Sequence, residues 1–159
     1  MKKLLPLVIL TLALFSCGDD VEFNTPSVQA NKNYNFWRAD AFSASISESG
    51  ALTILAKNST DEIFLTVPGS VGKYSLGEIE GRDASVITFE GEQFSTRNRP
   101  DESVSLYSEL GFVKIDEIVN NTITGTFQFL VFDESGLSTI GFNEGIFYRV
   151  PLLDGNLEE

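Results

Sequence analysis

The chain has 159 residues, with 11 Lys+Arg against 23 Asp+Glu, a formal net charge of −12, no histidine and one cysteine. So strong a negative balance repels nucleic-acid backbones and anionic headgroups, and neither is an expected partner. The missing imidazole removes Ser-His-Asp and Cys-His catalysis, histidine metal ligation and the usual base near neutral pH.

Lys2 and Lys3 precede an apolar run from Leu4 to Phe15, and the small Ser16 stands directly before Cys17. The run falls short of the roughly 20 apolar residues that a membrane-spanning helix needs. Its charge, length and small last residue fit a secretory signal peptide, expected over residues 1–16. Cys17, the only cysteine, has no intramolecular disulfide partner. Leu14-Phe15-Ser16-Cys17 resembles the lipobox of bacterial lipoproteins, although Phe15 departs from the small residue usual there. That resemblance implies a diacylglycerol thioether on Cys17, cleavage before it and acylation of the new N-terminus. At about 0.8 kcal/mol per buried CH₂, two or more acyl chains hold a protein stably on a membrane.

Gly18-Asp19-Asp20-Val21-Glu22 reads as an acidic, solvated tether. It also resembles the surface-export signal of outer-membrane lipoproteins in Bacteroidota. By that resemblance Asp19, Asp20 and Glu22 direct the domain to the cell exterior, the alternative being the periplasmic face of the outer membrane. Without residues 1–16 the balance becomes 9 − 23 = −14 over 159 − 16 = 143 residues, enough for one domain with its own core.

Residues 17–32 are expected to form the lipidated terminus and tether, residues 33–151 a β domain and residues 152–159 a frayed tail. Within the tether, Val21 to Lys32 reads as a linker becoming an edge strand. Tyr34 to Ala39 is short and aromatic. Phe42, Ala44 and Ile46 alternate with Ser43, Ser45 and Ser47, and Leu52, Ile54 and Ala56 resume the pattern after Ser49-Gly50, which predicts a hairpin over 41–57. Ile63 to Val67 follows as a strand that Pro68-Gly69 ends. Gly72 to Gly77 reads as a glycine-rich connection, and Ser85 to Glu90 with Glu92 to Arg97 as a pair split at Gly91. Residues 97–110 begin as a charged loop and continue as a short strand or one helical turn. Gly111 to Val119 is a strand closed by Asn120-Asn121. Thr122 to Phe132 is the longest, with Ile123, Gly125, Phe127, Phe129 and Val131 on one face and a threonine row on the other. Leu137 to Phe142 and Ile146 to Val150 are expected as two further strands around a turn at Asn143-Glu144-Gly145.

No helical period is sustained in the mature chain. The expected class is therefore all-β and antiparallel, a sandwich or flattened barrel of about nine or ten short strands. Phe36-Trp37-Arg38-Ala39, the Gly72 to Gly77 stretch, Ile123 to Phe127 and Gly145 to Pro151 together resemble a family of small Bacteroidota lipoproteins of unknown function. That family implies no activity, cofactor or catalytic residue.

Carboxylates are the remaining acid–base groups, at Asp61-Glu62, Asp101-Glu102, Asp116-Glu117 and Asp133-Glu134. Two of them converging in a cleft would serve a polysaccharide hydrolase; otherwise they are solvated turn residues. Asp133 and Glu134 with nearby carbonyls are the one calcium reading, without an Asp-x-Asp-x-Asp loop behind it. No metal, cofactor or catalytic residue is expected. The binding candidates are Tyr34, Trp37 and Arg38, with Phe36 between them, and the competing reading makes Trp37 a core anchor. The expected function is a membrane-anchored, non-enzymatic β domain that binds a glycan, a peptide or a protein partner. The alternatives are a carboxylate-based hydrolase and a structural subunit of an envelope complex.

Overall fold

A computed structural model describes residues 25–77, 79–100 and 110–153. The expectations for Cys17, Asp19, Asp20 and Glu22, for the segment 101–109 and for residues 154–159 lie outside the described residues. Eleven strands form the domain: β1 Ser27–Lys32, β2 Asn35–Arg38, β3 Ala41–Ile46, β4 Ala51–Lys57, β5 Asp61–Pro68, β6 Gly72–Ser75, β7 Asp83–Thr88, β8 Gln93–Ser95, β9 Gly111–Val119, β10 Thr122–Phe132 and β11 Thr139–Leu153. Among the described residues the fold is all-β, a single sheet of eleven strands.

The pairings fall into two antiparallel stretches, β2-β1-β11-β10-β9-β6 and β3-β4-β5-β7-β8. They meet at two corners. Leu152 and Leu153 run parallel to Ala44 and Ser45, and Phe132 pairs with Ser95. The ladder beginning at β11 therefore returns to β11 through β3, β4, β5, β7, β8 and β10.

Local chemistry explains the hairpins. Asn33-Tyr34 and Asn120-Asn121 are two-residue loops with φ of 46°, 70°, 51° and 57°, the left-handed pair that matches strand twist in a type I′ turn. Gly50, at φ 82°, turns β3 into β4, so that Ile46 faces Leu52 as the alternation predicts.

Four sequence expectations change. Ser27–Lys32 is a paired strand with Val28 and Ala30 in the core, so the fold reaches six residues into the expected tether, and the edge falls to β2. Gly72–Ser75 is a strand on β9 rather than a connection. Asn143-Glu144-Gly145 is not a turn: β11 runs through it as a bulge, with Glu144 at φ 52° and the register on β10 slipping between Phe127 and Phe129. Leu152 and Leu153 belong to β11, and their pairing with β3 is the parallel exception to an antiparallel fold.

The core is organised along the β10–β11 ladder. Phe127 faces Gly145 and Phe147 faces Gly125, so each ring lies over the other strand's glycine. Phe147, Phe127, Phe129, Phe142 and Trp37 then follow in ring-to-ring contact, with centroids 6.4, 5.9, 4.9 and 5.6 Å apart. Such pairs add about 0.5–1.5 kcal/mol each beyond the area they bury. A β-carbon at Gly125 would overlap the Lys114 carbonyl and the Phe147 ring; one at Gly145 would overlap the Phe127 ring.

Gly125→Ala and Gly145→Ala should each lower stability by about 1–3 kcal/mol or more, the usual range for overpacking. Gly141→Ala, whose β-carbon would find its nearest atom at 3.6 Å, should change it little. Urea midpoints for the three variants test this, and equal midpoints would contradict the packing account.

Candidate functional site

The three residues expected to bind sit on the β1–β2 hairpin, and strand parity divides them. Trp37 is 4% exposed, pairs with Ala30 and meets Phe142 edge-on, so its ring belongs to the core. Its neighbours Phe36 and Arg38 consequently point to solvent, Phe36 at 69% exposure. Tyr34, at the hairpin tip, is 96% exposed. The aromatic surface at this edge is therefore Tyr34 and Phe36 rather than the indole.

The tip is held firmly. Asn33 donates its backbone N–H to the Gly141 carbonyl and accepts the Gly141 N–H on its side-chain oxygen, both at 2.9 Å. Tyr34 occupies the second left-handed position of the turn, where glycine is preferred and a side chain is strained. The strain maintains an aromatic ring in solvent with no packing return among the described residues. Beside Phe36 and Arg38, their partners Asn31 and Gln29 also face outward. Asn31 donates to Glu144 Oε2 at 2.7 Å, and Ile146, opposite Gln29, adds an apolar side chain 41% exposed.

Three of the carboxylates, Asp61, Asp83 and Asp116, are held in separate ion pairs. Asp61 is 3% exposed at the start of β5. Its Oδ1 meets Lys32 Nζ at 2.6 Å and its Oδ2 accepts from the Thr60 hydroxyl at 2.7 Å. Lys32 reaches it because, like Val28 and Ala30, it has core-side parity on β1. Asp116 pairs with Lys114 at 2.6 Å, and Asp83 with Arg97 at 2.8 Å. The Asp83 hydrogen bond and charge raise the Arg97 pKa above its ordinary value.

Asp133 and Glu134 line a cleft of about 950 Å³ with Glu92, Asn98, Ser135 and Ser138. Asp133 uses its oxygens on its own turn, accepting from Ser135 Oγ at 2.7 Å, Leu137 N at 2.9 Å and Ser138 N at 3.0 Å. The Ser135 hydroxyl, then these backbone donors, hold its pKa below the ordinary carboxylate value. Among the described residues no group of three or more Cys, Asp or Glu is arranged to hold a metal. Asp101-Glu102 lies outside the described residues.

The chain belongs to the family defined by a domain of unknown function, DUF6252, whose model matches residues 24–151. No curated protein and no solved structure matches it.

Two predictions concern the charged groups. Lys32→Met leaves a buried carboxylate without its cation and should cost on the order of 3 kcal/mol, whereas Lys32→Met with Asp61→Leu should regain most of it. Urea unfolding of the single and double variants measures this, and a double variant no better than the single would refute the pairing. The second concerns pH. Because the folded Asp133 pKa is depressed, its contribution is present above the ordinary aspartate value of about 3.9 and disappears as pH falls through the lower folded value. The melting-temperature gap between wild type and Asp133→Ala should therefore narrow on acidification below about pH 4; a constant gap would contradict the assignment.

Proposed function

We propose that this DUF6252 member is a lipid-anchored protein of the bacterial outer membrane, held through Cys17 and facing the cell exterior. Its non-enzymatic β domain binds a ligand through the outer surface that begins at Tyr34, Phe36 and Arg38. The observation that carries the binding half is the pair of solvent-exposed rings, one of them kept at a strained backbone position. The carboxylates argue in the same direction: Asp61, Asp83 and Asp116 each pair with a neighbouring cation and Asp133 staples a turn. None of these four has the task of a general acid or base. The double closure of the strand ladder favours a flattened barrel over an open sandwich.

The anchoring half rests on Lys2, Lys3, the apolar run and the solitary Cys17 before an acidic stretch. From Cys17 to Ser27, the first residue of β1, is 27 − 17 = 10 residue steps. Fully extended, they reach roughly 35 Å, enough to hold an acidic domain clear of the headgroups.

One experiment on cells tests both halves. Protease added outside intact cells should degrade the wild-type protein, and Cys17→Ala should move it from the membrane to the soluble fraction. Envelope material captured by the wild type should be lost with Tyr34→Ser plus Phe36→Ser. Protection from protease would refute the surface placement, a membrane-bound Cys17→Ala protein the anchor, and unchanged capture the binding surface.

A further inference from the structure

The strands β2, β1, β11, β10, β9 and β6 present one outer surface, and its side chains fall into two rows that cross all six. The first row is Arg38, Gln29, Ile146, Thr126, Lys114 and Lys73, each the Cα partner of the next. The second is Phe36, Asn31, Asn143, Gln128, Phe112 and Ser75, in which Gln128 lies opposite the β11 bulge that carries Asn143. These positions alternate with the buried Trp37, Ala30, Phe147, Phe127 and Val113, so the row residues face solvent. At about 4.8 Å per strand the rows extend roughly 24 Å.

Charge is gathered here against the trend of the chain. Arg38, Lys73, Lys114 and Arg149 are four of the 11 − 2 = 9 cations that remain without Lys2 and Lys3. Arg149 lies over the Tyr148 ring, in the second β11 bulge. Lys73 and Lys114 stand directly opposite each other, an unfavourable cross-strand arrangement. Lys73 lies 3.9 Å from the Phe112 ring centroid, and Lys114 meets Asp116. An anion between the two lysines would relieve their repulsion further. Three acids stand nearby: Glu144 accepts from Asn31, Glu117 faces Thr124, and Asp116 holds Lys114 in an exposed pair that an incoming carboxylate would share.

The direction of the rows selects the ligand. A peptide strand adds along a sheet edge through free backbone groups. These rows instead cross β1, β11, β10 and β9, whose backbones are committed on both sides, so recognition falls to side chains. Amides and hydroxyls match vicinal sugar hydroxyls, the exposed Phe36 face matches the C–H face of a pyranose ring, and the cations match carboxylates. We infer that this six-strand surface is a platform for an acidic, uronate-bearing polysaccharide laid across the strands. Phe36 bears on its sugar rings, and Arg38, Lys73 and Lys114 meet its carboxylates.

This inference rests on the ligand-binding reading above and is tested separately from it. The full chain, solubilised in detergent, is run by affinity electrophoresis through gels containing polygalacturonate, dextran or a single-stranded polynucleotide. Polygalacturonate should retard it and the other two should not. Lys73→Gln with Lys114→Gln should weaken retardation about tenfold, the equivalent of one charge-assisted contact, and Phe36→Ala should weaken it too. Unchanged melting temperatures would show that each variant is folded. Equal retardation by dextran would overturn the acidic class while leaving ligand binding in place, and stronger retardation by the polynucleotide would overturn the glycan. With no retardation by any polymer the platform assignment falls. Capture of envelope material that depends on Tyr34 and Phe36 would then still stand as the independent test of the broader reading.

Discussion

The structure depends on a close approach between β10 and β11 that only glycine permits. Phe127 lies over Gly145 and Phe147 over Gly125, so each strand supplies a ring and the space for the other's ring. Without β-carbons at these two sites, large rings pack flat on the opposing backbone instead of forcing the strands apart. β11 then serves three partners, with β10 along most of its length, β1 on its other side and β3 beyond Pro151. Pro151 stands where the β1 pairing has ended and the β3 pairing has yet to begin, a place where its missing N–H costs the sheet little.

From that seam the constraint passes outward through the rings. Phe129 and Phe142 carry the contact to Trp37, and Trp37 fixes the inward face of β2. Parity does the rest: a strand that buries Trp37 must expose Phe36 and Arg38. The same rule, applied in register to β1, β10 and β9, places Asn31, Thr126, Lys114 and Phe112 on one surface. The candidate site is thus the reverse side of the core, and a one-residue slip in any of these strands would scatter it.

Much of the fold is legible in the sequence. Ser43, Ser45 and Ser47 alternating with Phe42, Ala44 and Ile46 revealed β3, and Asn120-Asn121 between two apolar alternations revealed the β9–β10 hairpin. Asn143-Glu144-Gly145 reads as a turn because turn chemistry and bulge chemistry use the same residues; only the rings of β10 show that Gly145 is buried for space, not for a bend. Gly72-Lys73-Tyr74-Ser75 reads as a connection because a four-residue strand starting with glycine carries too little alternation to be recognised. The parallel contact of Leu152 and Leu153 with β3 has no local signature, since it follows from where two distant strands arrive. At the site, Tyr34, Phe36 and Arg38 were visible as aromatics and a cation on one short stretch. Lys73, Phe112 and Lys114 were not, because rows across a sheet exist only once register is known.

The ends of those rows bear on how such a surface stays open. β2 and β6 are edge strands of four residues each, and a free edge invites pairing with another chain. Arg38 stands on one edge and Lys73 on the other. Short length and an exposed cation are the usual defences of a sheet edge, so the cations that close the first row also discourage edge-to-edge association. A strongly acidic body adds long-range repulsion between copies. The same charges thus oppose self-pairing at the edges and complement an anion on the face, which is why a polymer crossing the strands fits this surface better than another strand running along it.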